Sequence, residues 1–111
     1  MRILVEHWVV VGGKAEAEEA ARMWRFAPID REMTEEPDPR VIGRNALERV
    51  ALEDVYANWP VGDDPRVHVA ATRAFLEAGV TDVFIHSGQD DQRRAIEFYG
   101  REVLPRLRAE R

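Results

Sequence analysis

The chain is 111 residues long, with 45% hydrophobic and 33% charged residues, no cysteine and a formal net charge of −5. That length suits one small domain, the lack of cysteine excludes a disulfide framework and any thiolate metal site, and no apolar run approaches the ~20 residues that span a bilayer. The negative balance speaks against nucleic-acid binding, and residues 1–11, interrupted by Glu6 and His7 and without a small-residue cleavage site, do not read as a signal peptide; a soluble, cytoplasmic protein with no membrane partner is expected.

Residues 3–11 (Ile-Leu-Val-Glu-His-Trp-Val-Val-Val) are β-branched and nearly continuous in apolar character, as in a strand covered on both faces. Gly12 and Gly13 end it. Residues 14–26 read as a helix in which Ala15, Ala17, Ala20, Ala21, Met23 and Trp24 are set among Glu16, Glu18 and Glu19. The acids lie in its first turns and Arg22 and Arg25 in its last, as the helix dipole favours. Residues 27–38, with Pro28 and Pro37 and the acids Glu32, Glu35 and Glu36, form a loop with at most one helical turn.

Asp38-Pro39 is a cap followed by a first-position proline. It opens a helix carrying Val41, Ile42, Leu47, Val50 and Ala51, and residues 52–56 add a further turn. Trp59-Pro60-Val61-Gly62 is at most a short strand, weakened by its proline unless that residue sits at a strand start or an unpaired position. Asp63-Asp64-Pro65 starts the next helix, with Val67, Ala70, Ala71, Ala74, Phe75 and Ala78 at helical spacing and Gly79 as its left-handed C-terminal residue. Residues 80–86 are a second clear strand with Val83, Phe84 and Ile85 at its centre. After Ser87-Gly88-Gln89-Asp90 comes a last helix through Ile96, Tyr99, Val103, Leu104 and Leu107, in which Pro105 implies a kink or a loosened turn. Strands alternating with helices imply an α/β fold with a parallel sheet.

The second half carries a fuller pattern. Trp59-Pro60-Val61-Gly62-Asp63-Asp64-Pro65, a helix ending Phe75-Leu76-Glu77-Ala78-Gly79-Val80, then Asp82-Val83-Phe84-Ile85-His86, Asp91-Gln92 and Phe98-Tyr99-Gly100-Arg101-Glu102-Val103-Leu104-Pro105-Arg106-Leu107 follow one another. This run resembles the C-terminal end of the bacterial luciferase-like family. The nearest likeness is to its deazaflavin-dependent branch, which includes the coenzyme F420-dependent glucose-6-phosphate dehydrogenases. The first half, with its Met23-Trp24-Arg25-Phe26 helix end and acidic proline loop, fits the preceding unit of that branch.

The resemblance implies the last three βα units of a TIM (β/α)8 barrel: residues 1–26 as the first, 27–38 as a loop, 39–79 as helix, strand and helix, and 80–111 as the last unit. It implies an oxidoreductase, in a family that also holds flavin-dependent monooxygenases, passing a hydride between substrate and F420, or alternatively FMN. The family's catalytic residues and most of its coenzyme pocket belong to earlier strands, so no catalytic residue is assigned here and the chain is not expected to catalyse alone. The branch's phosphate-holding lysine and arginine align with Met33 and Asn58. A phosphate dianion needs charged donors, so glucose 6-phosphate is disfavoured, unless Arg31 replaces the lysine through a shifted loop.

Candidate pocket residues are His86, Ser87, Gly88, Asn58, Trp59 and Arg31. His86 ends the last strand, where barrel active sites are built, ahead of a helix start suited to anions; the alternative is that it caps the strand and bonds a backbone carbonyl. His7, His68 and His86 lack helical ligand spacing, and His68 reads as part of a polar helix start, so no metal set is assigned. Glu6 and His7 imply a satisfied polar network inside the strand, and Asp90-Asp91 a helix cap. Three strands cannot close a ring, and their crossover helices cover one face, so large apolar side chains on the other face stay wet at ~1.5–3 kcal/mol each. The chain is thus expected to pair with a separate N-terminal barrel chain, to self-associate as a homo-oligomer, or to lay its helices over the bare face. The alternative function is a non-catalytic, barrel-derived oligomerisation or binding module.

Overall fold

The computed structural model describes residues 1–25 and 35–109. Strand β1 (Leu4–Trp8) forms from the β-branched and aromatic N-terminal run and pairs in parallel with β2 (Asp82–His86). Leu4 stands opposite Asp82, Glu6 opposite Phe84 and Trp8 opposite His86. Between them come α1 (Lys14–Met23), α2 (Pro39–Arg49), α3 (Leu52–Tyr56) and α4 (Pro65–Glu77). After β2 come α5 (Gln92–Phe98), a π-helical turn (Tyr99–Val103) and α6 (Leu104–Ala109).

The helix starts follow from their caps. The carboxylates of Asp38, Asp64 and Asp91 accept from the amides of Arg40, Arg66 and Arg94, with Pro39 and Pro65 directly behind the first two. Gly79 turns the chain out of α4 at φ 101°, a conformation open to glycine. Pro105 has no N–H to offer the Arg101 carbonyl, and the helix loosens just ahead of it: the Leu104 N–H bonds the Tyr99 carbonyl, five residues back.

Residues 59–62 form no more than the short strand that the sequence allows. They meet the chain two residues past β1 through one parallel bridge, Val10 to Val61, with the Val10 N–H donating to the Pro60 carbonyl at 3.0 Å and the Gly62 N–H to the Val10 carbonyl at 3.1 Å. The Val9 N–H points the other way, to the His86 carbonyl at 2.8 Å. β1 therefore lies between residues 59–62 and β2, whereas strands following one another round a ring would leave 59–62 in the middle.

Helices lie on both faces, not on one. Side chains alternate along a strand. Val9 and Val11 pack with Val69, Ala95, Tyr99 and Val103 of α4, α5 and the π turn, while Val10 packs with Ala17 and Ala20 of α1. A strand order that reverses direction puts successive one-handed crossovers on opposite faces. The cover is partial: Leu4 and Phe84, on the α1 side of the sheet beyond the reach of α1, are 56% and 48% exposed.

The buried stripe of α4 also differs from the apolar spacing. His68, Val69 and Thr72 are buried, whereas Val67, Ala70, Ala74 and Ala78 are exposed. Two hydrogen bonds satisfy the His68 ring, and the Thr72 hydroxyl turns back onto the His68 carbonyl at 3.0 Å, so neither polar residue needs water. Likewise Ile96 and Leu47 face outward, and Ala95 and Ala46 take the buried positions.

Candidate functional site

Trp8 ends β1 and His86 ends β2, side by side in register and on the same face. Their rings stand 4.8 Å apart at 32°. Trp59, carried by the segment on the other edge of β1, lies 6.2 Å from Trp8 and nearly parallel to it, at 28°. Trp24, at the end of α1, covers Trp8 at 4.3 Å. Four aromatic rings thus meet at the C-terminal ends of the strands, each half-buried.

The loop after β2 is fastened by amide side chains. The buried carboxamide of Gln89 accepts from the Val11 N–H at 2.8 Å and donates to the Val11 carbonyl at 3.0 Å, standing in for a strand residue. The Ser87 hydroxyl donates to the Gln89 side-chain oxygen, and the Gln92 amide donates to the carbonyls of Ser87 and Gln89. Gly88 has no room for a side chain: a Cβ there would come within 2.7 Å of the Trp24 indole and 3.3 Å of the Ala20 carbonyl. The loop is tied to α1 through the Asp90 N–H, which donates to Glu19, and through Arg94, 3.5 Å from Glu16. Backbone amides at Glu16 and Gly13, and then Arg94, hold the Glu16 carboxyl below its usual range.

Among the sequence candidates, His86, Trp59, Ser87 and Gly88 come together here. Asn58 is exposed beside Trp59. Arg31 and Met33 lie outside the described residues, as does most of the 27–38 loop. The His86 ring does not bond a backbone carbonyl through Nε2. That nitrogen is buried with no hydrogen-bond partner among the described residues, and the Glu6 carboxylate is 3.9 Å away, beyond hydrogen-bond range. Nor do Glu6 and His7 form a satisfied network. Glu6 is exposed, while His7 is buried edge-on to Phe75 at 4.9 Å with Nε2 unpartnered among the described residues. Burial, reinforced by His68, lowers the His7 pKa.

Sequence reasoning missed Gln89 and His68. A glutamine after a strand carries no signal of a clamp, and His68 follows a capped helix start that looks solvated. In the structure His68 is fully buried, its Nε2 2.8 Å from the Gly62 carbonyl and its Nδ1 2.7 Å from the Tyr99 hydroxyl. Burial pushes the His68 pKa down and that of Tyr99 up. Among the described residues no group of three metal-ligating side chains occurs, and no helix is long and apolar enough to cross a membrane.

No protein-family model matches the chain. Individual proteins do. The F420-dependent hydroxymycolic acid dehydrogenase of Mycobacterium tuberculosis is 45% identical over 103 residues, 93% of this chain and 27% of that protein. The F420-dependent glucose-6-phosphate dehydrogenase of Beutenbergia cavernae is 36% identical over 96 residues, 86% of this chain and 28% of that protein. The enzyme of the same name from Nakamurella multipartita is 39% identical over 72 residues, 65% of this chain and 21% of that protein. The chain spans about a quarter of the length of these relatives, matching their C-terminal part. By sequence, then, it is a homologue of the C-terminal quarter of the F420-dependent dehydrogenases.

Proposed function

We propose that this chain supplies the closing strands and one pocket wall of an F420-dependent oxidoreductase of the luciferase-like, (β/α)8 type, in which a hydride passes between a hydroxyl-bearing substrate and the coenzyme. The observation that carries the reading is the 45% identity to one such dehydrogenase over 93% of this chain. Alone the chain is inactive; it works joined to an N-terminal barrel part, for which the wet patch around Leu4 and Phe84 leaves a seat.

The residues present suit one portion of F420. Trp8, Trp59 and His86 carry flat rings that suit a planar deazaflavin, and the buried Nε2 of His86, without a hydrogen-bond partner among the described residues, suits a polar contact, both reached only once Trp24 and α1 move off Trp8. They do not suit its anionic tail, because the loop amides of Gln89 and Asp90 are already taken by Ser87 and Glu19. When bound, the coenzyme takes up or gives back the hydride. This chain's part is to line the ring system and to keep water from it. Asn58 is neutral where a phosphate dianion needs charge, which favours a substrate without a sugar phosphate.

The test is a chimera in which the M. tuberculosis dehydrogenase keeps its own sequence up to the matching segment and this chain replaces that segment. The expected result is a soluble protein that retains F420, in preference to FMN, through desalting. A folded chimera that releases F420 overturns the reading.

A further inference from the structure

The strand order and the position of α1 do not fit a ring as they stand. A (β/α)8 ring takes its strands in chain order and keeps its helices outside. Here β2 occupies the edge of β1 that residues 59–62 would need. Meanwhile α1 and Trp24 lie over Trp8 and Val10, on the face that carries Phe84 and His86. Adding more chain to the outside corrects neither feature.

Resting on the barrel reading above, we propose that the chain by itself holds a self-closed arrangement. On joining the rest of the barrel it exchanges the direct β1–β2 ladder for one in which residues 59–62 lie between the two strands, and α1 leaves the inward face. The contacts to be exchanged can be named. α1 meets the sheet through Ala17 and Ala20, which pack with Val10, Trp59 and Val61, and through Trp24 on Trp8 at 4.3 Å, and exposed Asp90 and Arg94 tie it to the loop after β2. Residues 59–62 hold β1 by the Val10 bridge and one further bond, from the Gly12 N–H to the Gly62 carbonyl at 3.3 Å. The ladder itself is five residue pairs long, and the two Gln89–Val11 bonds must move with it.

By contrast, residues 59–62 are bound firmly to the helices behind them. The buried His68 ring joins Gly62 to Tyr99, and Tyr99 packs with Val69 and Val103. On this proposal residues 59–62, α4 and the π turn move as one body, and Trp59 and Val61 leave their packing against Val10, Ala17 and Ala20. The exchange slides that body along the sheet instead of unfolding it.

Glu6 and Phe84 are register partners with exposed side chains on one face, so E6C/F84C reports the order directly. Directly paired strands lie about 4.8 Å apart, within disulfide reach; an intervening strand makes that about 9.6 Å, beyond the limit of ~7 Å between Cα atoms. With oxidised glutathione, the two thiols give up two electrons and two protons, forming the disulfide and two reduced glutathiones. The chain alone is expected to cross-link nearly completely. The reduced E6C/F84C chimera, loaded with F420, is expected to cross-link at least about tenfold less.

L4C/D82C, the next register pair on that face, repeats the measurement should the first pair disturb folding. An isolated chain that fails to cross-link at either pair overturns the inference. So does an F420-loaded chimera that cross-links as readily as the isolated chain, and in that case the F420 reading stands. A folded chimera that holds no F420 takes away the reading and the inference together.

Discussion

Replacing Tyr99 by phenylalanine isolates the bond that ties the helical layer to residues 59–62. The Gly62 carbonyl only accepts, so Nε2 of His68 carries the proton, Nδ1 accepts, and the Tyr99 hydroxyl donates across 2.7 Å. Phenylalanine keeps the ring contacts with His68 at 5.3 Å and Phe98 at 6.0 Å. What it removes is the donor, leaving Nδ1 of a fully buried ring as an acceptor with nothing to accept. The cost is about 1–3 kcal/mol. With a urea slope of about 1–3 kcal/mol per molar, tryptophan fluorescence should show the midpoint falling by roughly 1 M. Acid gives a second reading of the same bond. Burial holds His68 below its ordinary 6.5, against the smaller upward pulls of the Gly62 carbonyl and Asp64, and burial followed by His68 holds His7 low. Below pH 6.5 the unfolded chain takes up protons that the native rings refuse. Stability is therefore full above that pH and falls as pH drops towards the native pKa values, by at most about 1.4 kcal/mol per pH unit for each histidine. Tyr99→Phe removes a donor that favours neutral His68, so its acid slope should be shallower. An unchanged midpoint together with an unchanged acid slope refutes the reasoning.

The other predictions concern the loop and the strand ends. Gly88→Ala forces a methyl against the Trp24 indole and the Ala20 carbonyl; a loss of about 1–3 kcal/mol is expected, with tryptophan emission shifted as the indole gives way. Gln89→Ala strips the buried N–H and C=O of Val11 of their partners. About 1–3 kcal/mol should be lost, and hydrogen exchange at the Val11 amide should quicken, whereas a protected amide would count against the clamp. Arg2 and then the Thr81 hydroxyl hold the Asp82 carboxyl down to about 2. In Arg2→Ala an NMR titration should find it moved towards 3.8. The native preference for charged Asp82, present above its unfolded pKa and lost as pH falls through about 2 in the parent, should then shrink.

Features that depend on a few adjacent residues were legible in the sequence. The Asp-Pro starts at 38–39 and 64–65, the Gly79 stop and the loosened turn before Pro105 each follow from one local constraint, and each is found. The α/β class and parallel pairing followed from the alternation of elements. Strand order did not, because a parallel crossover can run to either side of its starting strand, and the choice is made by packing between distant segments. The stripe of α4 misled for a related reason. Val67 and the alanines mark the helical spacing, but the buried face is built on His68, Val69 and Thr72, and the polar atoms of His68 and Thr72 find partners in Gly62, Tyr99 and the helix's own backbone. His86, Trp59, Ser87 and Gly88 could be gathered from their positions at strand ends. Gln89 could not, since its role appears only once Val11 stands beside it.

The route from Pro105 to Trp59 shows how far one local constraint reaches. Pro105 cannot donate to the turn before it, and the helix widens to a π turn that begins at Tyr99. Tyr99 is buried against Val9, Val69 and Val103 with its hydroxyl on His68. His68 passes that constraint to the Gly62 carbonyl. Gly62, through its own N–H and its carbonyl, bonds Val10 and Gly12 at the end of β1. Three residues before Gly62, Trp59 is thereby held with its ring nearly parallel to that of Trp8. The aromatic surface at the strand ends is thus positioned from the helical layer on the opposite side of the sheet. Polar bonds inside that layer, His68 above all, therefore govern the geometry of the site without lining it.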